Sequence, residues 1–333
     1  MRAETEQKLN RIWYGGEAIP VWLRWLVPLY RLGNRLDRWH KTRRQAKDLV
    51  DANIIVVGNI TVGGVGKTPL VIRLCRLLRL AGFKPGVVSR GYGRQDKKLR
   101  LVSPASDPAV VGDEPLLIAR QANVPVIVAD DRCEAARKLL KQGVNVIVSD
   151  DGLQHYRLPR KLEICVVDGE RGFGNGLMLP AGPLREPMER LDSVDYIVVN
   201  GESQVVPPER NPVTMLLAAG LLRSLDNRQS WRLAQFGGCR VNAVAGIGNP
   251  RRFFDLLRNA RITVNEYAFP DHHRFQASDF EQMDASLPIV MTEKDAVKVK
   301  DIELKNAWCL NVDAVLPHQW ENELVSRVIK EKP

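Results

Sequence analysis

The chain has 333 residues, of which 44% are hydrophobic and 26% are charged, and its formal net charge at pH 7 is +10. This length and apolar content predict a large buried core and two domains, and the lack of any heptad pattern, internal repeat or low-complexity tract excludes coiled-coil and repeat architectures. Five widely spaced cysteines without a C-x-x-C pair argue against a disulfide or zinc framework and fit a reducing cytosol, and the first ten residues lack the apolar stretch of a secretory signal.

Positive charge is concentrated at the N-terminus, where residues 1–50 contain eleven Lys and Arg against five Asp and Glu. Residues 19–40 follow a helical period with one apolar face and one basic face. The apolar face contains Trp22, Trp25, Leu26, Leu29, Leu32 and Leu36, and the basic face contains Arg24, Arg31, Arg35 and Arg38. The apolar run is too short and too charged to span a bilayer, which requires about 20 apolar residues.

Trp favours the headgroup layer of a membrane and Arg favours anionic lipid. We therefore predict that residues 1–48 form amphipathic helices that lie on a membrane or on a lipid substrate. The alternative is an ordinary surface helix whose Trp-bearing face packs on the domain.

The stretch NIIVVGNITVGGVGKT, residues 53–68, predicts a phosphate-binding loop between a buried strand and a helix over 67–80. Glycines let the backbone curl around phosphate oxygens, and the helix directs the positive end of its dipole at them. We expect Lys67 to reach the β and γ oxygens and the Thr68 hydroxyl to bind Mg²⁺. The predicted nucleotide-binding residues are Thr61, Val62, Gly63, Gly64, Val65, Gly66, Lys67 and Thr68.

Thr61 stands where the common phosphate-loop pattern has its first glycine. The loop instead resembles the glycine-shifted loops of the MinD-like ATPases. Val62 stands where those proteins have a signature lysine.

Short β-branched segments alternate with helical patterns after this loop. Strands are predicted at 85–90, 124–129, 144–149, 163–168 and 194–200, and helices at 112–122 and 131–142. This alternation predicts an α/β fold with a P-loop NTPase-like parallel sheet covered by helices, in which ligands bind at the carboxyl ends of the strands. We assign residues 49–205 to this P-loop domain, with Asn200 at a strand end as a candidate for reading adenine.

Three predicted strands end in acidic residues that could hold Mg²⁺ beside Thr68. They are followed by Asp130 with Asp131, by Asp150 with Asp151, and by Asp168. Spacing leaves the choice among them open, and each acid could instead cap a helix or close a turn.

Three further segments have alternative interpretations. GDEP at 112–115 puts Asp113 and Glu114 at a helix start, where a site role and simple dipole capping are equal alternatives. The loops at 89–94 and 171–187 are either substrate walls or plain connectors.

Pro207, Pro208 and Pro212 predict a linker, and we assign residues 206–333 to a second, smaller α/β domain that closes over the nucleotide site. Strands are predicted there at 213–218, 241–246, 262–267 and 288–292, and helices at 250–260 and 316–330. This domain contains His272 and His273 in PDHHRF. Neighbouring side chains on an extended chain point to opposite sides, so we expect one histidine to face a cleft and do not expect a shared metal ion.

Several segments, taken in order, resemble one family, the tetraacyldisaccharide 4′-kinases, which are the lipid A 4′-kinases of Gram-negative bacteria. The segments are the aromatic basic N-terminus, GNITVGGVGKTP, SRGYG, VGDEP, SDDGLQH, LPAGPLREP, GIGNP, FPDHHRF and MTEKDA. The resemblance covers nearly the whole chain. It implies transfer of the γ-phosphate of ATP to the 4′-hydroxyl of a lipid disaccharide 1-phosphate at the cytoplasmic face of the bacterial inner membrane.

The resemblance also implies roles for individual residues. Asp113 is expected to be the base near the attacking hydroxyl, paired with His272, while Lys67 neutralises phosphate charge. For Mg²⁺ the resemblance favours Asp150 and Asp151, assisted by Thr68 and Glu114. The substrate is expected to contact Arg90, Tyr92, His155, Arg185 and Glu186, and the membrane to contact Trp22, Trp25, Leu26, Leu29, Arg31 and Arg35.

The main alternative is a membrane-recruited ATPase switch of the MinD-like class. Val62 in place of the signature lysine and the long loop at 171–187 argue against it. A GTPase is disfavoured because N-K-x-D is absent, and a nucleic-acid partner is not expected because the aromatic amphipathic stripe fits a membrane better. We expect a peripheral, monomeric protein that binds ATP, Mg²⁺, an acylated disaccharide 1-phosphate and an anionic inner-membrane surface.

Overall fold

The computed structural model describes residues 2–226 and 228–330. The helices are α1 (Arg2–Tyr14), α2 (Val21–Arg43), α3 (Lys67–Leu80), α4 (Pro108–Val111), α5 (Asp113–Ala122), α6 (Arg132–Lys141), α7 (Pro250–Asn259), α8 (Glu293–Ala296) and α9 (His318–Lys330). The strands are β1 (Ile54–Gly58), β2 (Pro85–Ser89), β3 (Arg100–Val102), β4 (Val126–Val128), β5 (Val146–Ser149), β6 (Leu162–Asp168), β7 (Tyr196–Asn200), β8 (Val213–Ser224), β9 (Ser230–Arg232), β10 (Arg240–Ala245), β11 (Thr263–Ala268), β12 (Ile289–Thr292) and β13 (Ala307–Val315).

The strands form one sheet in the order β11-β10-β12-β13-β8-β7-β6-β1-β5-β2-β4-β3, with β9 paired to β8. Most neighbours are parallel, whereas β3 with β4, β8 with β9 and β8 with β13 are antiparallel. The helices α3, α5, α6 and α7 lie in connections between strands of the parallel parts of the sheet, whereas β6–β7 and β7–β8 are joined by segments without an α-helix. The predicted α/β class with a largely parallel sheet is confirmed.

β1 lies between β5 and β6, and all five of its residues are buried. Ile55 and Val57 belong to a core layer that also contains side chains of α3 and α5, whereas Ile54 and Val56 belong to a layer shared with α6. Because alternate side chains of a strand point to opposite faces, a strand covered on both faces is apolar throughout. The core thus fixes the end of β1, where the phosphate loop begins.

β8 joins the two halves of the sheet. Residues 213–215 pair in parallel with β7, and residues 216–224 pair antiparallel with β13. We refer to β1–β7 with their helices as the N-terminal lobe and to β8–β13 with theirs as the C-terminal lobe. The sheet is continuous across the boundary, so the division into domains at residue 205 stays a prediction.

α2 turns one face to the N-terminal lobe and leaves an apolar face uncovered. Leu23 is buried, whereas Trp22, Trp25 and Leu29 are 63%, 75% and 66% exposed. The alternative interpretation, in which the Trp-bearing face packs on the domain, is therefore wrong. Across the part of the chain that the structure describes, no helix has the length and apolarity needed to cross a membrane.

Candidate active site

The phosphate loop leads from β1 into α3, and Gly66 immediately precedes the helix. Gly63 and Gly66 have φ angles of 105° and 95°, in the left-handed region that favours glycine. A Cβ on Gly66 would lie 2.4 Å from Nδ2 of Asn200, and this amide donates to the carbonyl oxygen of Val65 at 3.0 Å. Asn200 therefore supports the loop backbone, a different contact from the adenine contact suggested by its strand-end position.

Lys67 is held above the loop by two oxygen acceptors. Its Nζ lies 3.1 Å from Oδ1 of Asn59 and 3.2 Å from Oδ1 of Asp151. Asn59 is fully buried and donates from Nδ2 to the carbonyl oxygen of Thr61 at 2.8 Å. One amide side chain thus ties the loop backbone to the lysine ammonium.

Asp150 follows β5 and is buried, with 1% of its surface exposed. Ser89 donates to its Oδ2 at 3.0 Å, whereas its Oδ1 is buried and has no hydrogen-bond partner in the described part of the chain. Burial, Glu114 and Asp151 raise the pKa of Asp150 to about 7. A buried carboxylate oxygen that no described residue hydrogen-bonds fits an oxygen ligand of a divalent cation.

Asp151 has the opposite electrostatic environment. Its carboxylate lies 3.2 Å from Nζ of Lys67 and 3.2 Å from Nη1 of Arg185. Burial alone would raise the pKa of Asp151, but Lys67, Arg185 and Arg132 lower it below its usual range. This carboxylate is therefore held ionised beside the phosphate loop.

The other strand-end acids have partners elsewhere. Asp130 pairs with Arg94 at 2.7 Å, Asp131 caps the N-terminus of α6, and Asp168 pairs with Arg252 of the C-terminal lobe at 2.8 Å. Within residues 2–226 and 228–330, Asp151 is the strand-end acid that forms an ion pair with Lys67. The geometry thus separates three sets of acids that spacing left equivalent.

Asp113 and His272 meet across the two lobes. Asp113 is the first residue of α5, and its Oδ2 lies 3.0 Å from Nδ1 of His272. The ring of Tyr92 lies 5.0 Å from the His272 ring, measured between centroids. Burial alone would raise the pKa of Asp113, but the hydrogen bond from His272 and the charges of Lys298 and Lys294 lower it. Asp113 is therefore an ionised carboxylate with a histidine neighbour.

The two neighbouring histidines have different partners and both line the cavity described below, whereas only one of them was expected to face a cleft. Nε2 of His273 lies 2.9 Å from Oδ2 of Asp279, away from the Asp113 pair. His272 has a positive φ of 59°, which is uncommon for a residue with a side chain. The turn at this residue directs its ring at Asp113.

Both lobes line one cavity of about 1160 Å³. The N-terminal lobe contributes residues 62–64, 67, 92, 93, 107–109, 113, 114, 151 and 185, and the C-terminal lobe contributes residues 270–275, 297, 298, 300 and 301. Pockets for a single small molecule are about 300–1,000 Å³. This cavity therefore has room for a nucleotide together with the head of a second substrate.

The C-terminal lobe also contacts the phosphate loop directly. A Cβ on Gly248 would lie 2.9 Å from the backbone nitrogen of Gly64, so a side chain at this position would collide with the loop. Nδ2 of Asn249, the next residue, donates to Glu170 of the N-terminal lobe at 2.8 Å. The segment GIGNP thus contacts both the phosphate loop and the segment that follows β6.

Comparison with known proteins agrees with this geometry. The sequence model of the family described as tetraacyldisaccharide-1-P 4′-kinase matches residues 19–329. The tetraacyldisaccharide 4′-kinase of Shewanella piezotolerans is 43% identical over 327 residues, covering 96% of each chain, and that of Legionella pneumophila strain Corby is 45% identical over 320 residues, covering 94% of this chain and 95% of the relative. A crystal structure of LpxK from Aquifex aeolicus in complex with ATP superposes with a TM-score of 0.71 at 27% identity, covering 92% of this chain and 98% of that one.

The chain belongs to the tetraacyldisaccharide-1-P 4′-kinase family. The family assignment made from the sequence motifs is confirmed, and so is the class of enzyme, a phosphotransferase that acts on a hydroxyl group.

In this 4′-kinase chain, part of the predicted site lines the cavity. The sequence-predicted site residues that line the cavity are Val62, Gly63, Gly64, Lys67, Tyr92, Asp113, Glu114, Asp151, Arg185 and His272. Thr68 is the second residue of α3 and Asp150 lies directly beside Asp151. Segments that are far apart in sequence therefore converge, as the resemblance implied.

Three predicted substrate residues of the 4′-kinase lie outside the cavity lining. Arg90 is exposed. His155 lies with Asp131, 3.9 Å away, and burial and Arg132 lower its pKa to about 3. Glu186 is buried and accepts a hydrogen bond from the hydroxyl of Tyr156 at 2.6 Å. Direct substrate contact by these three side chains stays a prediction.

Sequence reasoning missed two residues of this site. Asn59 holds both the loop and Lys67, and Lys294 lies 3.0 Å from Glu114 and 3.5 Å from Nε2 of His272. Both belong to motifs that carried the resemblance, GNITVGG and MTEKDA. Their motif membership was the available signal, but their contacts depend on the tertiary structure.

Proposed function

We propose that this protein transfers the γ-phosphate of ATP to the 4′-hydroxyl of a tetraacyldisaccharide 1-phosphate at the cytoplasmic face of the bacterial inner membrane, as a step of lipid A biosynthesis. The observation that carries the proposal is a single cavity lined by a phosphate loop and by the Asp113–His272 pair. Membership in the 4′-kinase family supplies the identity of the acceptor.

The phosphate loop binds the β- and γ-phosphates through backbone N–H groups and the N-terminus of α3. Lys67 is poised for them because its ammonium already lies at the loop, held by Asn59 and Asp151. A lysine that exchanges Asp151 for phosphate oxygens neutralises charge on the transferred group.

Mg²⁺ fits the acidic residues beside the loop. Asp150 has a buried carboxylate oxygen without a partner, and its electrostatic neighbours Glu114 and Asp151 are also acids. With the Thr68 hydroxyl, these residues would hold the ion, and hard oxygen ligands are those Mg²⁺ prefers. When bound, the ion neutralises charge on the nucleotide phosphates.

Asp113 accepts the proton of the 4′-hydroxyl. Its carboxylate is ionised, lines the cavity and is oriented by His272 at 3.0 Å. A sugar hydroxyl is a poor acid, so a positioned base that accepts its proton as the new P–O bond forms contributes about 10² to 10⁴ in rate.

The exposed face of α2 forms the side of the enzyme that contacts the membrane. Tyr30 and Asn34 donate to the backbone carbonyl of Arg185 at 3.2 Å and 3.0 Å, and Arg185 lines the cavity. The face of α2 away from this contact carries Trp22 and Trp25, which are exposed. An apolar, aromatic and basic helix of this kind lies in a membrane interface, so it holds the cavity at the surface where an acylated substrate resides.

The acceptor enters the cavity between Tyr92 and Arg185, which line it from two loops. Arg90, His155 and Glu186 support these loops or contact parts of the substrate outside the cavity.

The enzyme acts as a monomer, because both lobes of one chain complete the site. Residues 206–333 close further over bound nucleotide, and equal separation of the lobes with and without ATP in solution scattering would contradict that closure.

A transfer assay tests the proposed function. The enzyme is incubated with Mg²⁺, γ-labelled ATP and a tetraacylated disaccharide 1-phosphate in detergent, and label in the lipid is measured. We expect lipid-dependent transfer that Lys67→Ala slows by at least about 100-fold, while Lys84→Ala, at an exposed lysine, leaves it unchanged. ATP hydrolysis without labelled lipid would contradict the proposal and favour the ATPase-switch class.

A further inference from the structure

Lys294 lies where three elements of the site meet. It is the second residue of α8, directly after β12 in the C-terminal lobe. Its Nζ lies 3.0 Å from Oε1 of Glu114, 3.1 Å from Oδ1 of Asp271 and 3.5 Å from Nε2 of His272, and its side chain is 15% exposed. It is thus a largely buried cation that links α5 of one lobe to the histidine turn of the other.

Glu293, the residue before Lys294, makes a second contact between α8 and α5. Gln121 in the last turn of α5 donates from Nε2 to Oε2 of Glu293, and Asn311 of β13 donates to Oε1 at 3.3 Å. Glu114 and Gln121 are seven residues apart, which is two helical turns, so they lie on the same side of α5. Two consecutive residues of α8 therefore hold both ends of the helix that carries Asp113.

Lys294 does not line the cavity, so it acts through its neighbours and not on the substrate. Burial alone would lower the pKa of Lys294, but Glu114 and Asp271 raise it. The ammonium therefore stays charged inside the protein, between two carboxylates and one imidazole nitrogen.

An ammonium has three N–H donors and no acceptor. Nε2 of His272 faces this ammonium at 3.5 Å and is then the acceptor, since Oδ2 of Asp271, the other group near it, lies 3.8 Å away, too far to accept a hydrogen bond from an Nε2–H. The ring proton of a neutral imidazole consequently resides on Nδ1, which lies 3.0 Å from Oδ2 of Asp113. His272 donates to one oxygen of Asp113, and the other oxygen is left for the substrate hydroxyl.

We propose that Lys294 is a positioning residue for the transfer, which holds α5 against the C-terminal lobe and fixes His272 in the tautomer that donates from Nδ1 to Asp113. The inference rests on the proposed function in one respect, the role of Asp113 as base. The tautomer and the contact between the lobes are properties of the protein that can be measured without the lipid.

The test compares Lys294→Met, which keeps the side-chain length and removes the charge, with Lys294→Arg, which keeps the charge. Lys305→Met, at an exposed lysine of the same lobe, is the matched control. We expect Lys294→Met to lower kcat by about 10- to 100-fold with KM for ATP and lipid within about threefold, because misplaced catalytic groups cost rate more than binding. Lys294→Arg should keep kcat within about threefold of wild type, clearly above that of Lys294→Met. An unchanged kcat, or a raised KM alone, would overturn the proposal.

A second readout follows the tautomer. The ring nitrogens of the five histidines are observed by ¹⁵N NMR without substrates, and the His272 signals are assigned by their loss in His272→Gln. We expect the proton on Nδ1 in wild type and in Lys294→Arg, and a mixture of both tautomers in Lys294→Met. An Nε2–H tautomer in the wild type, or wild-type signals in a folded Lys294→Met, would overturn the proposal.

The outcomes separate the two proposals. If wild-type protein transfers no phosphate to the lipid, the proposed function fails, while the ¹⁵N signals still decide the role of Lys294 in orienting His272. If the wild type is active and Lys294→Met equals it in kcat, this inference fails alone. Should Lys294→Met not fold, Lys294→Arg carries the test, and a mixed tautomer in that charged variant would overturn the proposal.

Discussion

Opposite electrostatic environments surround the two adjacent aspartates after β5. Asp151 is paired with Lys67 and Arg185, which lower its pKa, whereas Asp150 is buried among acids and has a pKa raised to about 7. The carboxylate of Asp151 thus forms ion pairs within the protein, whereas the carboxylate of Asp150 lies mainly beside other acids. We propose that this pair places Lys67 and Mg²⁺ on the same phosphate group.

Glu293 provides a pH-dependent test at the residue scale. Burial raises its pKa to about 7, although Asn311 and Gln121 donate hydrogen bonds that oppose the shift. Because the folded-state pKa lies above the unfolded one, the folded state binds the proton more tightly, and stability falls as pH rises from about 4 to about 7. We expect Glu293→Gln to raise Tm relative to wild type at pH 8 and to leave Tm nearly unchanged at pH 5.

Thermal unfolding at the two pH values measures this difference. The control is Glu303→Gln, at an exposed glutamate of the same lobe, for which we expect a Tm difference from wild type that is the same at both pH values. A Tm difference between wild type and Glu293→Gln that is equal at pH 5 and pH 8 would contradict the raised pKa.

At this scale, the sequence predicted those site residues whose role is set by their neighbours along the chain. The glycines and Lys67 of the phosphate loop were predictable because strand, loop and helix follow one another in sequence. The contacts of Asn59 with Lys67 and of Lys294 with Glu114 and His272 were not, because they form only through the tertiary fold. The choice of Asp150 and Asp151 needed the resemblance, since three strand ends had the same acidic pattern.

At the scale of single elements, α2 is distinguished by having two apolar sides. Leu23 is buried against the N-terminal lobe, and the opposite side carries Trp25 and Leu29, which are exposed. Amphipathic periodicity predicted the helix but not its orientation, because either side could have faced the protein. Contacts of the helix with the loop at Arg185 decide which side remains free.

We predict that this free face binds membrane. Leu29→Glu removes apolar contact worth about 1.5–3 kcal/mol, so binding to vesicles with anionic lipid should weaken by at least about tenfold. Charge reversal at Arg31, Arg35 and Arg38 should also weaken it, since each basic residue contributes about 1 kcal/mol near an anionic surface.

Vesicle co-sedimentation measures the binding, and Leu80→Glu is the matched control because Leu80 is 84% exposed at the end of α3. We expect this control to bind vesicles as wild type does. Equal loss in Leu29→Glu and Leu80→Glu, or no loss in either, would remove the assignment of α2 as the membrane face.

Some strands could be predicted from the sequence, and others could not. β1, β5, β6 and β7 are buried on both faces and were predicted from continuous apolar runs. β13 was missed because Asn311 and Asp313 interrupt its apolar run, and β8 was predicted to end at residue 218 although it continues to Ser224. Its extension depends on pairing with β13, a partner about 90 residues later in the chain.

At the scale of the whole molecule, the site exists only where the two lobes meet. Asp113 and His272 come from different lobes, Gly248 packs on the phosphate loop at Gly64, and Arg252 pairs with Asp168. The order of motifs along the chain predicted the family, and hence this architecture. The continuous sheet through β8 was not predicted, because a proline-rich linker suggested a break at that point.

The measurement that tests the account most directly is transfer of phosphate to the lipid by Asp113→Asn. We expect kcat to fall by roughly 10²- to 10⁴-fold, with the dissociation constant for ATP changed by less than about threefold. Asp107→Asn is the control, since Asp107 lines the same cavity and asparagine keeps its capping of α4. A kcat within about threefold of wild type in Asp113→Asn would show that Asp113 is not the base and would contradict the central claim.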